Sequence, residues 1–412
     1  TNPSAYLPDV AMTLNNLANL HKDTGRLEDA EREYKEALDI RMKLAKANPS
    51  AYLPDFAMTL NNSAILHKNI GKMEDAEKEY KEALAVIRKL AGANPSVYLP
   101  DVAMTLNNLA NLHSDTGEFE AAEKEYKETL GIIRELKEAN PSAYQLRVTF
   151  ALNNLANLHR VTGRFEDAEK EYKESLAEIM GLAEANPSAY LPQTVITINN
   201  LANLHSDTGR LKAAEDGYKV ALDIIRELAE ANPSAYLPDV AMMLNNLANL
   251  HRDTGRFEDA ENEYKETLSI YRKLAEANSS AYLPNVATTL NNLANLHRDA
   301  GKLEDAEKEY KESLDIRKKL AETNPSAYLP DVAMTLNNLA ILHRDTCRLE
   351  DAEKESTEAY GIRSRLAAKY PSVYNEDLAN TLICMAELHE KAGRFTEAET
   401  ERREANELRS KK

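Results

Sequence analysis

The chain has 412 residues, with 51 Lys and Arg against 68 Asp and Glu and a formal net charge of −17. Apolar residues make up 43% and charged residues 29%, a balance that folds and excludes an intrinsically disordered chain. The acidic surplus disfavours nucleic acid and anionic membrane as partners, since both need a basic surface, and no apolar run reaches the roughly 18 residues of a membrane span.

In chain order, Asn2-Pro3-Ser4 comes first, and Pro8 is expected at the first position of a helix, where its missing N–H costs nothing. Val10, Leu14, Leu17, Ala18 and His21 follow with helical spacing, and Thr24-Gly25 is expected to stop the helix. Ala30, Tyr34, Ala37, Leu38 and Leu44 form a second stripe, predicting a helix from Leu27 to about Ala47 that Asn48-Pro49 ends. Glu28 and Asp29 in its first turn favour the helix dipole. The spacing predicts helices of roughly 16 and 21 residues, made antiparallel by their short connection. Tyr6, Tyr52 and Tyr98 are expected in the turn between repeats. No segment alternates with period two, so no sheet is expected.

The whole pattern then recurs. Leu14 returns as Leu60, Leu106, Leu152, Ile198, Leu244, Leu290, Leu336 and Leu382, always 46 residues on. All nine histidines share one phase, from His21 to His389. A fixed period of this length indicates stacked helical hairpins. The expected fold is all-α, an α-solenoid built as a right-handed superhelix of nine 46-residue antiparallel hairpins. One array is expected over 1–412, in repeats 1–46, 47–92, 93–138, 139–184, 185–230, 231–276, 277–322, 323–368 and 369–412, the last a C-terminal cap.

Leu14, Leu17, Ala18, Gly25, Ala30, Tyr34 and Ala37 resemble the tetratricopeptide repeat pattern, with its large first-helix residue, small residue four further on, and second-helix alanines. That family's unit is about 34 residues, so this one is longer, and at Met42 the family's proline is missing. The longer form, with Leu14-Asn15-Asn16-Leu17-Ala18, is similar to the repeats of kinesin light chains and of bacterial signalling proteins. The resemblance implies a scaffold that holds a partner in a concave groove lined by the first helices.

On a helical wheel Val10, Ala11, Leu14, Leu17, Ala18, Leu20 and His21 span an apolar arc, opposite Met12, Asn15, Asn16, Asn19, Lys22 and Asp23. Asparagine is a poor helix former, so its recurrence mid-helix needs a reason. Its carboxamide matches the C=O and N–H of an extended peptide, and in related grooves such asparagines hold ligand backbones. The rows of Asn15 and Asn19 are therefore expected to bind a peptide through Asn107, Asn111, Asn153, Asn157, Asn199, Asn203, Asn245, Asn249, Asn291 and Asn295, flanked by Arg252 and Arg298. The Asn16 row is expected to bond to a neighbouring helix instead. The Met12 row, with Met58, Met104, Phe150, Ile196, Met242 and Met334, fits either a partner's side chains or packing on the next repeat. Histidines one per repeat cannot gather three or four zinc ligands, so they are assigned to packing and no metal site or cofactor is expected. Acidic and basic residues on the second helices are expected to form solvated i,i+4 pairs.

No phosphate loop, nucleophile elbow or CxxC motif is present, so no enzymatic activity is expected. The two cysteines, Cys347 and Cys384, exclude a disulfide scaffold and fit a reducing, cytoplasmic location. Thr1-Asn2-Pro3 matches Thr323-Asn324-Pro325 at the tail of an interior second helix, which points to a fragment whose first repeat is uncovered and open to end-to-end self-association. In the ninth repeat Ile383, Cys384 and Glu387 replace the groove asparagines and Arg402 the Tyr34-type residue. The expected function is a protein–protein interaction scaffold binding an extended peptide or protein. The alternative is a sensor or regulatory arm of a larger signalling NTPase-type protein.

Overall fold

The computed structural model describes residues 6–410, apart from the side chain of Ser372, so Asn2-Pro3-Ser4 and Lys411-Lys412 lie outside the described residues. These residues form eighteen helices and no strand, and none of the helices is long and apolar enough to cross a membrane. The chain divides into two compact units, one ending at Ala185 and the other starting at Asn186.

The first unit holds α1 (Leu7–Asp23), α2 (Leu27–Ala47), α3 (Pro49–Asn69), α4 (Met73–Ala93), α5 (Pro95–Asp115), α6 (Phe119–Ala139), α7 (Pro141–Val161) and α8 (Phe165–Ala185). The second holds α9 (Pro187–Asp207), α10 (Leu211–Ala231), α11 (Pro233–Asp253), α12 (Phe257–Ala277), α13 (Ser279–Asp299), α14 (Leu303–Thr323), α15 (Pro325–Asp345), α16 (Leu349–Lys369), α17 (Pro371–Lys391) and α18 (Phe395–Ser410). Within each unit every helix packs on the next in chain order, and each unit is a solenoid of helical hairpins.

The turn inside a hairpin forms as the sequence predicts. Gly25 adopts φ +77°, the Arg26 N–H donates to His21 O at 2.8 Å and the Gly25 N–H donates to Lys22 O at 3.2 Å. These bonds satisfy carbonyls that the helix end leaves open, and the left-handed residue favours glycine. Cys347 occupies this place in the eighth repeat at φ +62°.

The joint between hairpins differs from expectation. Asn48 alone separates α2 from α3, and the next helix begins at Pro49, so the first helices of interior repeats have 21 residues and not roughly 16. Pro54, expected at a helix start, lies inside α3, as do Pro100, Pro192, Pro238, Pro284 and Pro330 in their helices. Asn-Pro terminates one helix and starts the next in the same step, because the Pro49 ring is preset for the first helical position. Of the tyrosines expected in a turn, Tyr52 and Tyr98 are consequently helical, and Tyr6 caps α1. Tyr98, Tyr144, Tyr236 and Tyr282 are half-buried against the cores of their joints.

The core runs between the helices. Ala30 and Ala37 are buried beside Tyr34, which lets α1 and α2 approach, and Leu66, Leu106, Leu109 and Leu112 fill the space between hairpins. A leucine such as Leu247, buried in the α10–α11 core, stabilises the fold by about 2–5 kcal/mol relative to Ala.

Candidate partner-binding face

The first helices place the two asparagine rows in different surroundings. Asn15, Asn61, Asn153, Asn199 and Asn291 are buried, and Asn107 and Asn245 half-buried. This corrects the expectation that the row lies open on the groove. Its amide oxygen accepts from the Asn16-type residue of the following repeat: Asn108 donates to Asn61 at 3.2 Å, Asn154 to Asn107 at 2.8 Å, Asn246 to Asn199 at 2.9 Å and Asn292 to Asn245 at 3.2 Å. Asn338 donates to Asn291 at 3.1 Å, and Asn153 donates to the Thr149 carbonyl and the Ser175 hydroxyl. The wheel misplaces the row because it treats one helix, whereas the neighbouring first helix covers this edge. The Asn16 row takes the joint position expected for it.

The Asn19 row stays half-exposed. Its oxygens accept from the Tyr34-type hydroxyls on the second helix of the same hairpin: Tyr126 to Asn111 at 2.5 Å, Tyr172 to Asn157 at 2.5 Å, Tyr218 to Asn203 at 2.6 Å and Tyr310 to Asn295 at 2.5 Å, with Tyr264 bonding Asn249 likewise. The tyrosine hydroxyl is itself buried and must find an acceptor. It thereby fixes the carboxamide, whose nitrogen keeps two donors with no acceptor among the described residues.

One and two turns back on the same face, the Met12 row is open. Met12, Met58, Met104 and Phe150 in the first unit, and Ile196 in the second, are exposed. Beside Met104 and Phe150 a cavity of about 450 Å³ opens, lined also by Ile133, Asn107, Asp101 and Arg147. Its floor follows from one substitution pattern. Where the cavity has Ile133, other repeats carry a buried arginine: Arg317 donates to Asp331 O at 3.1 Å and Thr335 Oγ1 at 2.6 Å, and Arg363 to Asp377 O at 2.9 Å and Thr381 Oγ1 at 2.6 Å. Isoleucine cannot span that gap. The buried arginines escaped sequence reasoning, although their phase with Ile87, Ile133 and Ile179 was available.

Arg252 and Arg298, expected to flank the groove, each bond the next residue, Asp253 at 2.8 Å and Asp299 at 3.1 Å. Their charge is locally cancelled. The histidines are mostly buried, as expected, but in a polar network and not simply among apolar neighbours. His113, His159, His251, His297 and His343 meet Glu125, Glu171, Glu263, Glu309 and Glu355 through Nδ1 at 2.8–2.9 Å. In the fifth repeat Gly217 stands at the place of that glutamate, where a Cβ would come within 2.9 Å of the Ala202 Cβ. In the ninth repeat Cys384 is buried, which pushes its thiol up to about 11, and Arg402 pairs with Glu390.

Two-helix repeats of 46 residues, stacked through alanine-rich faces with an asparagine pair at six of the joints within the two units, define a helical-repeat solenoid. Models described as Tetratricopeptide repeat match residues 55–135, 147–227, 239–319 and 285–365, with further matches at 10–48 and 201–275. The chain belongs to the tetratricopeptide repeat family, whose members are in general protein-interaction scaffolds without catalytic activity of their own. No curated protein matches it. Among solved structures it is similar to the apo form of RapI, at 15% identity and a TM-score of 0.52, over 97% of this chain and 98% of that one. It is also similar to BtubC (BKLC) from P. vanneervenii, at 27% identity and a TM-score of 0.49, over 60% and 91% of the two chains. Nearly identical TPR-like repeats from a Podosopora anserina protein assigned as a kinesin light chain match at 16% identity and a TM-score of 0.41, over 54% and 97%.

Proposed function

We propose that the chain is an interaction scaffold that holds an extended peptide segment along the first-helix face. The observation that carries this reading is the half-satisfied Asn19 row. Each carboxamide is held by a tyrosine through its oxygen and offers its N–H groups outward, so a peptide carbonyl meets a donor already oriented. The exposed Met104 and Phe150 beside a cavity suit an apolar side chain of the same segment. The backbone-holding role expected for both asparagine rows therefore narrows to Asn111, Asn157, Asn203, Asn249 and Asn295. The Asn15 row supports the face from below.

Peptides selected from a random displayed library on the wild-type chain supply the test. Asn249→Ala alone is a poor probe, because it leaves the Tyr264 hydroxyl buried and unpaired, at a cost of about 1–3 kcal/mol. Removing both partners avoids that. The double change Asn249→Ala with Tyr264→Phe is expected to weaken binding by about 1 kcal/mol, roughly fivefold, relative to Tyr264→Phe, with little change in melting temperature. Equal affinities in those two variants, repeated at Asn203 with Tyr218, would remove the row from the binding site.

A further inference from the structure

At the joint between the second and third repeats one charge is reversed. In six other repeats the residue just before the second helix is a cation that reaches back to a glutamate of the preceding repeat, as Arg164 does to Glu123 at 2.6 Å, Arg256 to Glu215 at 3.0 Å and Arg348 to Glu307 at 2.8 Å. In the third repeat this residue is Glu118. It faces Glu77 of α4 with His113 of α5 between them, and the three ligand atoms all lie within 4.8 Å of one another.

His113 is 3% exposed, and its Nε2 has no hydrogen-bond partner among the described residues. That nitrogen stands 3.5 Å from Glu77 Oε1 and 4.0 Å from Glu118 Oε2. On the other side of the ring, Nδ1 lies 2.8 Å from Glu125 Oε2. We propose that Glu77, His113 and Glu118 form a binding site for a divalent transition-metal ion, with zinc the fitting chemistry.

Geometry and charge support the assignment together. Tetrahedral zinc with bonds of 2.0–2.2 Å holds its ligand atoms about 3.4 Å apart, so Glu77 and His113 are already spaced as ligands and Glu118 needs a small side-chain movement. Glu118 is exposed, which gives it that freedom and leaves a fourth position for water. Glu125 accepts a hydrogen bond from Nδ1, fixes the ring and makes Nε2 the metal-facing atom, the usual carboxylate–histidine arrangement around zinc. Lys81 also pairs with Glu77 Oε1 and competes for it, so the ion displaces Lys81 or takes the second oxygen of Glu77. One imidazole per repeat cannot hold zinc by itself, but here two of the three ligands are carboxylates from neighbouring helices.

The ion would take the place of the missing Arg or Lys and staple α4, α5 and α6 across the joint. The test uses the full chain, freed of metal by chelator, with Zn²⁺ in calorimetry and Co²⁺ as the visible probe. One site per chain is expected, with a tetrahedral Co²⁺ spectrum and a rise in melting temperature. Glu118→Gln is expected to weaken binding at least tenfold. Glu118→Arg, which copies the neighbouring repeats and so keeps the fold, is expected to abolish it and to melt above the metal-free wild type. No binding at micromolar metal, an octahedral spectrum, or an affinity unchanged in Glu118→Arg would each overturn the site.

Discussion

An asparagine can accept at one atom and donate at another, and this chain divides that capacity between two rows. Asn199 spends its oxygen on Asn246 of the next hairpin and is buried by doing so, while Asn203 spends its oxygen on Tyr218 and keeps its nitrogen available. The recurrence was legible in the sequence, but which partner each oxygen finds depends on helices 15 and 47 residues away. The histidine–glutamate pairs carry a pH effect of the same local origin. Burial first, and Asp259 beside it, push Glu263 up to about 8 from its ordinary 4.5, and burial pushes its partner His251 down. A carboxyl raised on folding keeps a proton that the unfolded chain has lost, so its contribution is complete below about 4.5 and disappears as pH rises through about 8. Glu171 and Glu309 are raised by burial in the same direction. The melting temperature is therefore expected to fall as pH is raised from about 5 to about 9. Glu263→Gln, which keeps an uncharged side chain throughout, should flatten part of that slope. Identical slopes for the variant and the wild type would show that the pair does not titrate in this window.

At the scale of elements, the second helices obey the sequence and the first helices exceed it. Leu27–Ala47 matches its predicted span because an acidic first turn, an unbroken alanine-rich stripe and Asn48-Pro49 all agree. The first helix begins a turn and a half before its predicted start, since Pro54 reads as a boundary and is not one. Proline inside a helix removes a backbone donor and disfavours the helix by up to about 3 kcal/mol. The same helix forms without it in α7, where Leu146 takes the position, and in α17, where Glu376 does. Pro238→Ala is accordingly expected to stabilise the chain in denaturant titration, by an amount between zero and about 3 kcal/mol. A loss of stability would mean that the proline ring packs against its neighbours in a way the alanine cannot replace.

Across each unit, electrostatics and burial follow the repeat. The second helices carry the expected i,i+4 pairs, such as Lys127 with Glu123 at 2.6 Å, and also pairs to the next second helix, such as Arg88 with Glu128 at 2.5 Å and Arg226 with Glu266 at 2.7 Å. Exposed pairs of this kind contribute little singly. Burial is less even. Leu17 is 37% exposed, whereas Leu109 at the same phase is 1% exposed, and Val10 and Leu20 are open as well. A helix with little apolar cover opens at low free energy. Backbone amides of α1 are therefore expected to exchange hydrogen faster than those of α5 or α11. Equal protection of α1 and α5 in native-state exchange would contradict this.

The period of 46 residues, the two helices within it, the glycine turn and the tyrosine–alanine core are determined by the sequence alone, because each rests on neighbours within a turn or two of the same helix. What the tertiary structure decides lies at the joints. There the buried asparagine ladder, the cavity above Ile133 and the Glu77–His113–Glu118 cluster arise from residues of adjacent hairpins. A helical wheel has no term for the neighbouring helix, so it places a side chain on a face without knowing what covers that face. Only stacking the hairpins distinguishes an asparagine buried at a joint from one that stays half-exposed beside a tyrosine of its own hairpin.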